Sequence, residues 1–220
     1  MRGHEHDWST AGKGFSVRLP MFPLSTVLFP HAQCPLHVFE PRYKAMTTEC
    51  LAGDSRFGIV LIARGSEVGG GDDRVAIGTR AVIGRTATLD DGRWLLLVRG
   101  EVRIRVDEWM EDDPYPMAMV EEWPSPDEHV DKALLHEVTQ CVRRTRGLLA
   151  ESGQIAALSA DTKFDPDDDI ACWQLCAEAP LNAFDAQRLL AVPSTATRLE
   201  LLLELTEAVE QDLHRMLESS

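Results

Sequence analysis

Residues 19–46, LPMFPLSTVLFPHAQCPLHVFEPRYKAM, constrain the fold more than any other stretch, because a dense apolar pattern is broken there by Pro20, Pro23, Pro30, Pro35 and Pro41. A proline has no backbone donor and pushes the residue before it toward an extended conformation, so each one limits how far a hydrogen-bonded element can run. Between the prolines lie Val27, Leu28 and Phe29, then Leu36, Val38 and Phe39, the side-chain types that fill a buried pleated surface. After Phe39 the period changes: Pro41 suits a first helical residue, and Tyr43, Met46 and Cys50 or Leu51 recur at helical spacing until Gly53. The stretch predicts strand, strand, short helix.

The same kind of chain continues to about residue 125. Phe57–Ile62 is a continuous apolar run suited to a strand buried on both faces. Residues 65–73, GSEVGGGDD, form a polar glycine loop that lacks the Lys-Ser/Thr and helix start of a phosphate cradle. Residues 75–89 carry strand formers interrupted by Gly78 and Gly84, which predicts bulges or sharp curvature. Asp91-Gly92 is a hairpin signal between Leu89 and Trp94. Beyond Gly100, Val102, Ile104 and Val106 alternate with Arg103, Arg105 and Asp107, which predicts one buried face and one wet face. Residues 115–123, YPMAMVEEW, supply a last strand.

These residues resemble the Lon N-terminal domain family. The resemblance rests on Leu19, Pro20, Phe22, Pro23 and Leu24, on Val27 to Pro30, on Pro35, Leu36, Phe39, Glu40, Pro41, Arg42 and Tyr43, and further on Ile77-Gly78-Thr79 and on Gly100-x-x-Arg103-x-Arg105. It covers most of residues 17–123 and implies a PUA-like pseudo-barrel; with the early short helix and the helical periodicity of the later residues, the expected fold is α+β, a PUA-like curled β pseudo-barrel with one early short helix, followed by a C-terminal α-helical bundle. The motif residues Pro23, Pro30, Glu40, Pro41, Arg42, Gly78, Gly100 and Arg103 are expected to be structural.

From Pro126 the periodicity is helical. Val130, Leu134, Leu135, Val138, Val142, Leu148 and Leu149 form an apolar stripe, predicting a helix to about Gly153. The acidic run Asp165 to Asp169 precedes Ile170, where carboxylates satisfy free amide donors of a helix start. Helices near 168–179 and 184–191 stop before Pro180 and Pro193, and Thr197 with Glu200 has the spacing of a capping box ahead of a long amphipathic helix. Gln187 to Leu190 and Arg198-Leu199 also resemble the helical part of longer Lon N-terminal regions. The chain therefore divides into a tail, 1–16, a β domain, 17–125, and a helical subdomain, 126–220.

Composition narrows the function. The net charge is −14, and residues 127–220 alone carry eight Lys/Arg against 18 Asp/Glu. No dense basic run offsets this, which disfavours nucleic acid and anionic membranes. No stretch approaches the roughly 20 apolar residues that cross a bilayer, and residues 1–14 lack a signal-peptide core, which predicts a cytoplasmic location. The five cysteines have no paired C-x-x-C spacing, and His4, Glu5, His6 and Asp7 read as a tail cluster, so no metal and no cofactor is expected.

A complete Lon protease adds a phosphate-binding ATPase loop and a Ser-Lys protease site, and the sequence contains neither motif, nor a nucleophile elbow or a His-Glu-x-x-His helix. No catalytic residue is assigned, and the expected role is a non-catalytic recognition module. By resemblance it binds unfolded or hydrophobic polypeptide segments or acts as an adaptor, with a separate ATPase or protease as a further partner. Phe22, Phe29, Phe39, Tyr43 and Trp94 are the candidate peptide-binding residues. Two alternatives stand beside this reading: an RNA-binding PUA-like module, which requires Arg42, Arg80, Arg103 and Arg105 to converge, and a small-molecule binder or enzyme with a site assembled from scattered residues.

Overall fold

A computed structural model describes residues 16–64, 73–151, 153, 155–159 and 161–218. The N-terminal tail with its His4 to Asp7 cluster and nearly all of the glycine loop lie outside these residues. The chain forms two compact units: one takes in the residues up to Leu28 together with Gln33–Pro124, the other Phe29–Ala32 together with the residues from Ser125 on.

The first unit contains strands β1 (Val17–Leu24), β2 (Gln33–Val38), β3 (Arg56–Arg64), β4 (Asp73–Thr88), β5 (Trp94–Trp109) and β6 (Met117–Glu122), and helix α1 (Pro41–Ala52) between β2 and β3. Their order is β2-β5-β4-β3-β1-β6, and an additional pairing of β6 with β5 curls five of the strands into a ring, with β2 attached outside it on β5. The expected curled barrel with an early helix is thus present. Its interior buries Leu19, Met21, Val60, Ile104, Val106, Ala118 and Val120 as one cluster.

Two prolines sit inside β1, where short runs were expected to end. The ladder explains how they are accommodated. Val17–Pro20 pair with β6 and Met21–Leu24 pair with β3, so β1 changes partner at its middle. Each proline therefore has a ladder neighbour on one side, leaving the other side for the missing donor. Val27, Leu28 and Phe29, expected as a strand, form an irregular connection instead.

The ring closes because β4 and β5 are long and bent. Each has 16 residues, and their pairing slips between Arg80 and Ala81 and again between Ile83 and Arg85. The second slip falls on Gly84, as anticipated, and the first leaves Glu101 as the extra residue beside Gly100. Gly78 borders a slip in the β3–β4 ladder, between Val60 and Ile62, and a Cβ there would lie 2.3 Å from the carbonyl oxygen of Ile59, so the glycine also allows β3 and β4 to approach. At the hairpin between β4 and β5, Gly92 has φ of 74° and Leu89 donates to the Arg93 carbonyl at 2.8 Å, as Asp91-Gly92 predicted.

The second unit holds helices α2 (Lys132–Glu151), α3 (Asp168–Glu178), α4 (Ala183–Ala191) and α5 (Thr195–Glu218). Val138, Cys141 and Val142 of α2 and Leu199, Leu202 and Leu205 of α5 are buried, which uses the apolar stripes of both helices. The Asp167 carboxylate accepts from the Asp169 and Ile170 amides at 3.0 and 3.1 Å, the capping role expected of the acidic run. The cap of α5 is Ser194, whose hydroxyl accepts from the Thr197 amide at 3.2 Å, three residues ahead of the box read from the sequence. Phe29 belongs to this unit, its ring 6.0 Å from that of Trp173.

Candidate functional site

The short sequence Glu40-Pro41-Arg42-Tyr43 builds the floor of a groove in the first unit. Pro41 opens α1 with its preset φ, and Lys44 donates to the Glu40 carbonyl at 3.0 Å to close the first turn. Arg42 then turns back, its Nε 3.2 Å from the Glu40 carboxylate and its guanidinium 4.5 Å from the centre of the Tyr43 ring. The Tyr43 ring stacks on Phe22 of β1, centroids 4.2 Å apart. Both rings are buried, so this aromatic pair is a fixed platform rather than a pair of mobile side chains.

The groove above it has a volume of about 330 Å³. Its walls are the end of β1 with Thr26, the start of α1, and every residue from Cys34 through Glu40. Consecutive strand residues point alternately to opposite faces, so a wall made of seven consecutive residues means that the groove runs along the edge of β2 rather than over one of its faces. Among the described residues, β2 is paired with β5 alone. Leu36 and Val38 are buried, whereas Phe39 stands 49% exposed at the rim, with His37 edge-on to it at 6.0 Å.

Phe22, Phe39 and Tyr43 are therefore brought together at one groove. Phe29 and Trp94 are not: Phe29 is buried in the second unit, and Trp94 lies across from Val38 in the β2–β5 ladder, outside the lining. Sequence reasoning passed over Cys34, Pro35, Leu36 and His37 as site residues. Their signal was the exposed alternation of Gln33, Pro35 and His37 next to a proline, which marks an edge strand.

One thiol, Cys34, lines the groove, and a second, Cys50, is buried in α1. Burial pushes the Cys34 thiol up from its ordinary range, and burial together with the carboxylates of Asp54 and Glu49 pushes Cys50 to about 12, so both stay protonated at neutral pH. Among the described residues no three His, Cys, Asp or Glu side chains are grouped to hold a metal ion.

The arginines do not assemble an open basic channel. Arg80 donates to Glu101 at 3.0 Å and pairs with Glu122, Arg105 pairs with Glu121, and Arg42 pairs with Glu40. Arg103, expected on the wet face of β5, is 1% exposed, with its guanidinium 4.4 Å from the centre of the Trp123 ring. The alternation itself holds, since Ile104 and Val106 line the ring interior and Arg105 is exposed; Arg103 is buried because Trp123, whose amide donates to the Arg103 carbonyl at 2.8 Å, covers it.

Comparison with known proteins gives the groove a context. Residues 18–208 match the ATP-dependent protease La (LON) substrate-binding domain. Lon protease 2 of Herpetosiphon aurantiacus is 30% identical over 210 residues, an alignment that takes in 91% of this chain and 23% of that protein. A LON peptidase N-terminal domain and RING finger protein of Schizosaccharomyces pombe is 30% identical over 115 residues, 47% of this chain and 24% of that one. The chain thus spans about a quarter of the length of these two relatives. Among solved structures, a Lon N-terminal domain protein from Xanthomonas campestris superposes with a TM-score of 0.65 at 28% identity, covering 86% of this chain and 98% of that one. The N-terminal domain of Mycobacterium avium complex Lon protease gives 0.58 at 14% identity, a likeness of fold.

Proposed function

The chain belongs to the Lon substrate-binding domain family, and from that premise we propose that it is a recognition module that holds extended, apolar stretches of polypeptide in the groove along the β2 edge. The observation that carries this reading is the unbroken lining from Cys34 to Glu40. An added segment would pair its backbone with β2 and place alternate side chains over the Phe22–Tyr43 platform and against Phe39. Binding of this kind draws on apolar burial and main-chain hydrogen bonds and asks for no reacting group.

In this reading Phe22, Phe39 and Tyr43 contact the segment, while Glu40, Pro41 and Arg42 hold the floor in shape. Release and cleavage of the client fall to a separate ATPase or protease, for which the chain acts as an adaptor. The acid partners of Arg42, Arg80 and Arg105 weigh against the RNA alternative.

A titration with a fluorescent unfolded polypeptide such as reduced casein, with and without ATP and with mass analysis of the products, tests the proposal. Saturable binding, indifferent to ATP and without cleavage, is the expected result. Absence of binding would sink it.

A further inference from the structure

The sheet face beside the groove carries a charge of the wrong sign for this protein. Register places Arg85, Leu97 and Pro35 in one row across β4, β5 and β2, and Ala87, Leu95 and His37 in the next. Arg99, opposite Gln33, continues the same face toward the start of β2. Leu36, Val38, Leu96 and Val98, on the opposite parity, are buried, so the first set points outward. Leu95, 42% exposed, lies opposite His37, which is edge-on to the 49% exposed Phe39, and Arg85 and Arg99 are exposed toward the other end of this face.

No acidic residue occupies these rows, and among the described residues neither Arg85 nor Arg99 has an ion-pair partner. Arg42, Arg56, Arg74, Arg80, Arg93 and Arg105 of the same unit are paired with carboxylates, while Arg18 on β1 and Arg64 on β3, like Arg85 and Arg99, have no carboxylate partner among the described residues. In a chain of net charge −14, a face with two unneutralised arginines beside exposed leucine and phenylalanine is an exception to the general field.

Resting on the reading of the β2 groove as a polypeptide site, we infer that this face selects segments in which an apolar stretch is flanked by acidic residues. The apolar part lies at Phe39, on the rim of the groove, and at Leu95, opposite His37, and the acidic flank reaches Arg99 and Arg85 near the start of β2. The complementarity is of sign and of position: the remaining surface repels an acidic flank, and this face attracts it. Basic-flanked segments gain nothing here, since the carboxylate that lines the groove, Glu40, is already engaged by Arg42.

The test uses three labelled peptides with one apolar core and aspartate, serine or lysine flanks, titrated by fluorescence anisotropy at about 50 mM and about 300 mM salt, conditions that bracket strong and weak screening. The aspartate version is expected to bind about fivefold more tightly than the lysine version at low salt, a margin suited to two exposed charges, and the margin narrows at high salt. The double variant Arg85→Glu/Arg99→Glu, checked for unchanged circular dichroism, is expected to reverse the order. Equal binding of the three peptides, or a ranking that the double variant leaves untouched, overturns the inference while leaving the groove as a polypeptide site. Binding of none of them removes the underlying reading as well.

Discussion

The ring of Phe22 lies nearly flat on that of Tyr43, with centroids 4.2 Å apart and planes 19° from parallel. One ring comes from the first strand and the other from the first turn of α1, so their contact ties the start of the helix to the ring of strands. Replacing Tyr43 with alanine opens a cavity between them. A loss of about 3 kcal/mol or more in unfolding free energy is expected, read as a lower urea midpoint, since a buried aromatic is removed.

Phe39 separates binding from stability. With half its surface in solvent, its exchange for serine is expected to change unfolding free energy by no more than about 0.5 kcal/mol. Affinity for unfolded polypeptide should nevertheless fall severalfold. An affinity equal to that of the unmodified chain would place the client elsewhere.

Gly78 tests the close approach of β3 and β4. A methyl group there meets the Ile59 carbonyl at 2.3 Å and a Val60 methyl at 2.6 Å, and the carbonyl cannot move without disturbing the ladder. Gly78→Ala is expected to destabilise the protein by about 3 kcal/mol, visible as a lowered melting temperature.

Glu101 and Asp169 make stability depend on acid. Burial alone would raise both carboxyls, but Arg56 and Arg80 around Glu101, and Thr195, Ser125 and Arg198 around Asp169, hold them below their ordinary values. The unfolded chain therefore binds these protons first, at about pH 4. The stabilisation is fully present above that value and is lost as pH falls through the lower folded values, so the urea midpoint should decline between about pH 5 and about pH 3. Glu101→Gln should have a lower midpoint at neutral pH and a shallower decline.

Arg198 is the charged centre of the helical unit. It is fully buried, 3.6 Å from the centre of the Trp173 ring, and it donates to the Val192 carbonyl at 3.2 Å and to Asp169 at 3.3 Å. Arg198→Ala leaves Asp169 without its guanidinium, and a loss of about 3 to 5 kcal/mol is expected by chemical denaturation. Arg198→Lys restores the charge without the planar stack and should recover only part of it.

Much of the fold was legible where the signal is local. Asp91-Gly92 fixed a hairpin, Pro41 opened a helix, Asp165 to Asp169 capped another, and the apolar stripes of α2 and α5 announced their buried faces. What escaped were properties set by partners distant in sequence. Pro20 and Pro23 read as strand breakers because nothing nearby shows that β1 exchanges β6 for β3 at its middle. Arg103 read as solvent-facing because nothing in its own strand shows that the Trp123 ring lies over it. Of the proposed aromatic contacts, Phe22 and Tyr43 came with the proline-rich motif, whereas Phe29 was indistinguishable from them by residue type and went to a different core. The unneutralised pair Arg85 and Arg99 emerges only when three strands are laid side by side.

Among the described residues, β2 is bonded on one flank only. Along β2 the row of main-chain donors and acceptors turned away from β5 can be completed only by a chain whose own backbone groups are unengaged over several consecutive residues. Folded proteins keep those groups occupied internally, whereas a chain that has lost its structure offers them everywhere. In the proposed role, the groove would respond to the conformational state of a client before its spelling, and so tell damaged molecules from intact copies of the same sequence.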